Sequence, residues 1–280
     1  MRVSYQGVEN AYSYLAARQH VTAHGASPEL VGCRTFREAA ELVHHGEVDL
    51  AVLPIENTTA GSITGVYDLL QAEHLSIVGE EVWRVDHCLA GPADVPLEKL
   101  ARVLSHPQAL EQCSTFLATL PHCELVSHMD TAAALAAVAA HGDPAVGAIG
   151  SPEAAAALGL VVLRESVANQ EENWTRFVVL AAEPRPVDVS QPAKTSLILV
   201  TRHEHGALVR CLAVLAEHNL SMTKLESRPR PGRPFEYMFF LDFEGTVDDP
   251  DVRTALDELR GVALSVAVFG SYPSRTIVRR

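Results

Sequence analysis

The stretch DTAAALAAVAAHGDPAVGAIG, residues 130–150, decides the fold class of this 280-residue chain. Its first part opens on an aspartate that can cap a helix and continues in alanine, so it predicts a helix over Asp130–His141. Its last part, Val146–Gly150, is a short apolar run typical of a buried strand. Similar pairs recur before the proline-rich residues 183–192, with further strands predicted at Arg2–Gln6, Leu30–Arg34, Asp49–Ile55, Leu75–Gly79, Arg102–Ser105, Glu124–His128, Leu160–Leu163 and Phe177–Leu180. Strands that alternate with helices predict an α/β architecture with mostly parallel sheet.

A proline-rich segment divides the chain. Residues 183–192, EPRPVDVSQP, contain three prolines and no periodicity, so they fit neither a helix nor a strand ladder. We therefore predict one domain at residues 1–182, a linker at 183–193 and a second domain at 194–280. In the second domain, strands and helices are predicted in the order βαββαβ, the ferredoxin-like arrangement. Such a unit leaves a sheet face or edge to cover, and pairing with a second copy is a common solution.

The charge of the chain is strongly acidic and unevenly distributed. The net charge is −13, which argues against nucleic acid and anionic membrane surfaces as partners. Residues 1–192 carry 10 lysines and arginines against 24 aspartates and glutamates, a net of −14, whereas residues 193–280 have a net of +1. An anionic ligand of the first domain must therefore be held by a few local groups, because the overall field repels it.

The composition indicates a cytoplasmic protein without a structural metal. The chain begins on the strand-like Arg2–Tyr5, with no basic and apolar leader, and no run reaches the roughly 18 apolar residues of a membrane helix. The five cysteines are scattered and never form a CxxC pair, so neither a disulfide framework nor a thiolate metal site is predicted. We expect buried, reduced thiols.

Polar residues follow two of the predicted strands. The first loop, Gly7–Ser13, follows strand 1, and the second, Pro54–Ser62, precedes a helix predicted at Ile63–Ala72. Ligands of open α/β sheets bind at the carboxyl ends of strands, and a helix N-terminus offers free N–H groups to an anion. Residues of the second loop could therefore seat a carboxylate, and simple helix capping is the alternative. The candidates are Asn57, Thr58, Thr59 and Ser62.

A third polar loop, Asn169–Phe177, contains an arginine at the start of a strand. The guanidinium of Arg176 could clamp a carboxylate with two hydrogen bonds, or it could pair with the nearby Glu171 or Glu172. The residues alone leave both interpretations open.

Taken together, the motifs carry a resemblance that no single loop carries. The chain resembles the prephenate dehydratase family, in motif order and spacing, over roughly residues 2 to 275. The matching motifs are PIEN (54–57), SHPQALEQC (105–113), AIGS (148–151), NWTRF (173–177), GAL (206–208) and ESRP (226–229). So many ordered motifs together are far more specific than any one of them.

The resemblance implies a fold and a set of site residues. It implies a catalytic domain of two α/β lobes, similar to the type II periplasmic-binding-protein fold, with the active site in the cleft between them. It makes Thr175 the proton donor and Arg176 the anion clamp. It also implies a substrate pocket formed by Ser13, Asn57, Thr58, Thr59, Ser62 and Phe177. The chain departs from the family at Asn10, where the family usually has glycine, and this departure concerns the backbone path of the first loop.

The implied reaction is the decarboxylative dehydration of prephenate to phenylpyruvate in L-phenylalanine biosynthesis. Prephenate is a dianion whose ring becomes aromatic when it loses carbon dioxide and water, so the protein must mainly orient it and deliver a proton. No nucleophile, metal or cofactor is needed, and the sequence has no HExxH, CxxC or GxGxxG motif. Because a threonine hydroxyl is a weak acid, we expect Arg176 and buried backbone donors to stabilise the charge that develops on Thr175.

The second domain resembles an ACT domain of the phenylalanine-binding kind. The resemblance implies that L-phenylalanine binds as an allosteric effector between two subunits of a homodimer or homotetramer. The implied effector residues are Gly206, Ala207 and Leu208 at a helix start, and Glu226, Ser227, Arg228 and Pro229 at a strand end. The alternative is a purely structural dimerisation module.

Two other functions are compatible with parts of the sequence. Arogenate dehydratase, the same elimination on a related substrate, is the nearest rival, and a non-catalytic amino-acid sensor is the rival from another class. We expect no fused chorismate mutase, because the chain starts directly at strand 1. Histidines such as His44, His45, His87 and His203 are expected at the surface or in caps, whereas His106 could cap a helix or touch substrate.

Overall fold

The structure, a computed structural model, describes residues 1–23, 25, 29–230 and 232–275. The helices are α1 (Tyr12–Ala23), α2 (Phe36–His44), α3 (Thr64–Ala72), α4 (Pro107–Gln112), α5 (Ser114–Leu117), α6 (Thr131–His141), α7 (Pro152–Ala157), α8 (Ala207–Glu217) and α9 (Pro250–Val262). The strands are β1 (Arg2–Gln6), β2 (Glu29–Cys33), β3 (Leu50–Asn57), β4 (Gly61–Ser62), β5 (Ser76–Arg84), β6 (Cys88–Gly91), β7 (Arg102–Ser105), β8 (Glu124–Ser127), β9 (Val146–Gly150), β10 (Val161–Arg164), β11 (Trp174–Ala181), β12 (Ala193–Val200), β13 (Met222–Pro229), β14 (Tyr237–Glu244) and β15 (Ser265–Pro273). A short 3-10 helix lies at Leu97–Lys99.

These elements form three sheets. A six-stranded sheet has the order β2-β1-β3-β11-β5, with β4 paired to β3, and a five-stranded sheet has the order β10-β6-β9-β7-β8. The third sheet has four strands in the order β13-β14-β12-β15. By the density of contacts the chain divides into two compact units: the first comprises Met1–Ala39, Val52–Gly61 and Val82–Phe177, and the second comprises Ala40–Ala51, Ser62–Glu81 and the chain from Val178 onward.

In the first unit, the helix and strand predicted from residues 130–150 are confirmed. The side chain of Asp130 caps α6 by accepting hydrogen bonds from the amides of Ala132 (2.7 Å) and Ala133 (3.3 Å). The helix packs on β9 so closely that a side chain at Gly150 would collide with Leu135. Glycine is therefore required where this helix crosses the sheet.

The prediction of mostly parallel sheet is wrong for the five-stranded sheet. Strand β7 runs parallel to β8 and β9, but β6 runs antiparallel to β9 and to β10. Strand β6 was not predicted, because its four residues Cys88–Gly91 are too few to show a period. The strand predicted to end at Gly79 continues to Arg84 as β5.

In the second unit, the predicted βαββαβ order is confirmed. Strands β12 to β15 and helices α8 and α9 follow that order, and the strand order of the sheet is the ferredoxin-like one. Apolar residues of both helices pack on the sheet around Leu241 and Phe243, which are fully buried. The residues between Ala181 and Ala193 join no helix or strand, although Val187 donates its backbone N–H to Asp248 Oδ2 (2.9 Å). The division at 183–193 stays a prediction. Among the described residues, no helix has the length and apolar character needed to cross a membrane.

Candidate active site

A buried asparagine at the end of β3 organises the candidate site. Three donors converge on Asn57 Oδ1: the backbone N–H of Thr59 (3.0 Å), the backbone N–H of Ala60 (2.8 Å) and the hydroxyl of Thr59 (2.6 Å). A backbone N–H can only donate, so these contacts identify the oxygen and fix the orientation of the amide. Asn57 Nδ2 then donates to Asn173 Oδ1 (2.8 Å) and to Thr175 Oγ1 (3.0 Å).

This geometry leaves the proton of Thr175 for another acceptor. Thr175 is 8% exposed, and its oxygen accepts the hydrogen bond from Asn57. A hydroxyl that accepts from an amide keeps its own O–H available as a donor, and the accepted bond stabilises negative charge on the oxygen. The hydroxyl of Thr175 can therefore act as a donor, and its role as proton donor stays a prediction.

Arg176 lies on the other face of the strand from Thr175. Successive residues of a strand point to opposite faces, and β11 alternates in burial at its start. The guanidinium lies 3.9 Å from the carboxylate of Glu56, with 14% of the side chain exposed, whereas Thr175 bonds to Asn57. A side-chain donor to Thr175 is Asn57, and the expectation that Arg176 and backbone donors stabilise charge on Thr175 stays a prediction. The open ion-pair question is answered by Glu56 rather than by Glu171 or Glu172.

Thr58 joins the second and third loops. Its hydroxyl donates to the carbonyl of Glu172 (3.3 Å) and accepts from the backbone N–H of Trp174 (2.9 Å), while its own N–H donates to the Trp174 carbonyl (2.9 Å). The backbone donors of Thr58, Thr59 and Ala60 are all engaged in these loops, and β4 separates them from the start of α3. The expected set of free N–H groups at a helix start is therefore not what these residues form.

The polar network continues through residues whose role the sequence analysis did not identify. Gln112 Nε2 donates to Thr59 Oγ1 (2.9 Å), and Gln112 Oε1 lies 3.2 Å from His87 Nε2. His87 Nδ1 lies 3.2 Å from the hydroxyl of Tyr12, which donates to the Asp86 carbonyl (2.7 Å). The expectation of a surface or capping role for His87 is wrong, because the residue is 2% exposed. Gln112 lies in the motif SHPQALEQC (105–113), and this match to the family was the sequence signal that could have identified it as a site residue.

Burial shifts the pKa values of His87 and Tyr12, which lie at one end of this network. Desolvation lowers the pKa of His87 below its ordinary 6.5, while the hydrogen bond to Gln112 and the charge of Asp86 act in the opposite direction. Desolvation, with a smaller contribution from Glu153, raises the pKa of Tyr12 well above its ordinary value. Both side chains are therefore neutral near pH 7.

A cavity of about 240 Å³ borders the Gln112 end of the network. Thr59, Gln112 and Asn173 contribute to its wall, together with Gln108, Glu111 and Asn169. The wall is rich in side-chain amides, which can both donate and accept hydrogen bonds. His106, at the entrance to α4, accepts from the N–H of Gln108 (3.2 Å), so its cap role is confirmed.

The remaining predicted substrate residues lie in three different settings. Ser13 is buried in the first turn of α1, behind a loop in which Asn10 has φ +66°. Asparagine tolerates this left-handed conformation better than most residues, which explains how it can stand where the family has glycine. Phe177 is a core residue, 1% exposed. Ser62, in the second unit, donates to Glu226 (3.0 Å) and accepts from Lys224 Nζ (3.0 Å). The roles of these three residues in substrate binding stay predictions.

The predicted effector residues lie on two elements of the second unit. Gly206, with φ +70°, begins α8, and Gly206, Ala207 and Leu208 line a cavity of about 720 Å³ together with Tyr237 and Phe239. Strand β13 pairs with β14 so that Ser227 is opposite Phe239 and Pro229 opposite Tyr237. Two further β13 residues point elsewhere: Glu226 bonds to Ser62, and Arg228 lies 3.6 Å from Asp68.

The fold and the site define an α/β enzyme whose candidate proton donor is a buried hydroxyl held by neutral amides. Comparison with known proteins makes the class specific. The chain belongs to the prephenate dehydratase family, a family of lyases, whose model matches residues 3–185.

Relatives of the whole chain agree with this assignment. The chain is 44% identical, over 279 residues, to a bifunctional chorismate mutase/prephenate dehydratase of Enterobacter agglomerans, covering 99% of this chain and 72% of the relative. A prephenate dehydratase from Arthrobacter aurescens, solved in complex with L-Phe, has a TM-score of 0.86 and 27% identity, covering 98% of this chain and 90% of that one. GqqA, described as a novel type of quorum-quenching acylase, has a TM-score of 0.87 and 33% identity over the whole of both chains.

Proposed function

We propose that this protein converts prephenate to phenylpyruvate, with Thr175 as the proton donor. The observation that carries the proposal is the hydrogen bond of 3.0 Å from Asn57 Nδ2 to Thr175 Oγ1. It assigns the acceptor role to the threonine oxygen and so leaves the O–H as a donor for a substrate. Family membership supplies the reaction, and this contact supports Thr175 as the group that transfers the proton.

The proposed reaction consumes one proton, which Thr175 donates to the departing hydroxyl. The bond from the ring to its carboxylate breaks and releases carbon dioxide, and its electron pair moves into the ring. The bond from the ring to its hydroxyl breaks as Thr175 transfers its proton, so the hydroxyl leaves as water and the ring becomes aromatic. The threonine oxygen is negative at that moment, when the Asn57 amide stabilises it, and it then regains a proton from solvent.

The other site residues are proposed to bind the dianion. Arg176 provides a guanidinium with five donors, and we assign it one substrate carboxylate, in exchange for or alongside its contact with Glu56. Thr58 and Thr59 shape the loop beside Asn57, and their hydroxyls are engaged with Glu172 and Asn57. Ser13 and Phe177 complete the proposed pocket on the strength of the family resemblance alone, and the charged contacts of Ser62 favour a regulatory role for that residue instead.

The C-terminal part is proposed to be an ACT regulatory domain that binds L-phenylalanine. Its support is the ferredoxin-like strand order, the cavity beside Gly206, and the L-Phe complex of the Arthrobacter relative. The proposal includes a homodimer or homotetramer joined through this domain, with the effector at the seam. Control then requires that phenylalanine prefer one arrangement of the assembled domains.

The proposal places the enzyme in the cytoplasm, where thiols stay reduced. All five cysteines are free, and four of them are buried. Burial raises the pKa of Cys88 and of Cys113 to about 12, which keeps these thiols protonated and unreactive.

The test is phenylpyruvate formation by the purified chain from prephenate, with arogenate in a parallel assay and L-phenylalanine titrated into both. Turnover of prephenate that phenylalanine changes supports both parts of the proposal. Preferential turnover of arogenate would replace the substrate and keep the reaction type. Binding of phenylalanine without turnover of either substrate would contradict the proposal and favour the sensor.

A further inference from the structure

We infer that His87 is a positioning residue of this enzyme: its Nε2–H holds Gln112 in the orientation in which Gln112 donates to Thr59, and this keeps the Thr59 hydroxyl on Asn57. The inference rests on the proposed function for its effect on turnover. The geometry of the network carries it.

The donor and acceptor roles in the network can be assigned one after another, starting from Asn57 Oδ1. Asn57 Oδ1 is identified as an acceptor by two backbone N–H groups, so the Thr59 hydroxyl, 2.6 Å away, must donate to it. The Thr59 oxygen is then free to accept, and the Gln112 atom 2.9 Å from it must be the nitrogen Nε2.

The same reasoning continues from Gln112 to His87. With Nε2 facing Thr59, the carbonyl oxygen Oε1 faces His87 Nε2 at 3.2 Å, and an oxygen can only accept. His87 must therefore carry a proton on Nε2. A ring protonated at Nδ1 alone would place two acceptors against each other. The long contact from Asn173 Nδ2 (3.5 Å) would then be the remaining side-chain donor to Oε1 among the described residues, and the Gln112 amide would more readily rotate by half a turn.

The far side of the ring accommodates this tautomer when the Tyr12 hydroxyl shares its proton between the Asp86 carbonyl and His87 Nδ1; a Tyr12 proton given wholly to Asp86 would require a proton on Nδ1 instead. The Tyr12 hydroxyl lies 3.2 Å from His87 Nδ1 and 2.7 Å from the carbonyl of Asp86. The ring is 2% exposed and makes an edge-on contact with the Tyr12 ring, at 5.9 Å between centroids. Tyr12 and Gln112 thus contact opposite edges of one imidazole.

The consequence for the reaction lies in the Asn57 amide. With Gln112 in the observed orientation, three donors polarise Asn57 Oδ1, and the Nδ2–H becomes a stronger donor to Thr175. With Gln112 rotated, the Thr59 hydroxyl turns to the Gln112 oxygen and Asn57 loses one of those donors. Loss of the His87 contact should therefore lower kcat and leave KM nearly unchanged.

The test compares two variants of similar shape, His87→Gln and His87→Met. Glutamine can place an amide N–H near the position of His87 Nε2, whereas methionine fills the same space without a donor. We expect His87→Met to lose about tenfold in kcat with KM changed by less than about twofold, and His87→Gln to recover most of the loss. Equal kcat values for His87→Gln, His87→Met and the wild type would overturn the inference while prephenate turnover by the wild type still stands.

A second measurement remains valid if a variant misfolds or if prephenate is not the substrate. Nitrogen-15 spectra of the imidazoles in the wild type, with Tyr12→Phe used to identify the His87 signals by their shift, report which ring nitrogen carries the proton. A proton on Nε2 is expected. A neutral ring protonated at Nδ1 refutes the inference whatever the activity. Failure of the proposed function is seen separately, as absence of phenylpyruvate formation by the wild type.

Discussion

Two polar clusters a few residues apart in the chain are built from different groups. At Asn57 the network consists of buried amides and hydroxyls, with Thr175 and Asn173 as partners. At Ser62, in the second unit, the hydroxyl lies between the charged side chains of Lys224 and Glu226. Neutral buried groups hold a geometry that salt does not screen, whereas half-exposed charges are weak and sensitive to their surroundings. The first cluster suits catalysis, and the second suits a contact that must be adjustable.

Removing the Thr175 hydroxyl should have the largest effect. Thr175→Ala should lower kcat by about 10³-fold, within the range for general acid catalysis, because the variant cannot supply the proton. KM should change little, since the anionic groups of the substrate are held elsewhere. Steady-state kinetics of phenylpyruvate formation measure both constants. Thr175→Ser is the matched control and should keep most of kcat; a Thr175→Ala variant within about threefold of wild type would remove Thr175 from the mechanism.

Changing the donor to Thr175 should have the next largest effect. Asn57→Asp keeps the oxygen that accepts from Thr59 and Ala60 but replaces the Nδ2 donor by a carboxylate oxygen. Its negative charge would oppose charge on Thr175, so kcat should fall by about 10²-fold. Asn219→Asp makes the same chemical change at an exposed position of the second unit and should leave kcat unchanged. An active Asn57→Asp enzyme would show that the neutral network is not needed.

The sequence predicts some strands and helices of this fold correctly and fails to predict others. Elements with a strong local signal were found: Arg102–Ser105 and Val146–Gly150 match their strands, and Asp130 caps its helix. Strand β6 was missed, because it is short and its pairing with β9 and β10 comes from distant segments. Local periodicity carries no information on such pairing.

The site shows the same limit. The motifs identified Asn57 and Thr175, but the bond between them joins residues 118 positions apart, and its direction depends on the backbone of Thr59 and Ala60. One matched motif assigns both Thr175 and Arg176 to the site, but a motif does not show that strand alternation places the two on opposite faces. His87 was misjudged because burial of a single histidine between strands leaves no mark in composition.

Acidification should lower the stability of the wild type through the buried His87. Burial lowers the pKa of His87, so the folded protein binds this proton more weakly than the unfolded chain, and the nearby Asp86 and Gln112 only partly offset the shift. The stability linked to this group is complete above pH 6.5 and declines as the pH falls from 6.5 toward the lowered folded pKa. Urea unfolding of the wild type and His87→Gln at pH values on either side of 6.5 measures it. The stability of His87→Gln should fall less on acidification; equal slopes would show that His87 does not contribute.

Removing the Ser62 hydroxyl should have the smallest effect on turnover and should act instead on regulation. Ser62→Ala leaves Lys224 and Glu226 without the hydroxyl between them, and a half-exposed charged contact is worth about 1 kcal/mol or less. We expect kcat within about twofold of wild type, because the Asn57 network is intact, and a shift of a few-fold in the phenylalanine concentration that gives half of the full response.

Added salt should produce a shift in the same direction in the wild type and a smaller one in the variant, since screening and substitution weaken the same contact. Ser190→Ala, in an exposed turn where the hydroxyl bonds only locally to Asp188, is the control and should change neither quantity. A large loss of kcat in Ser62→Ala, with the phenylalanine response unchanged, would instead place Ser62 in the substrate pocket and erase the contrast between the two clusters.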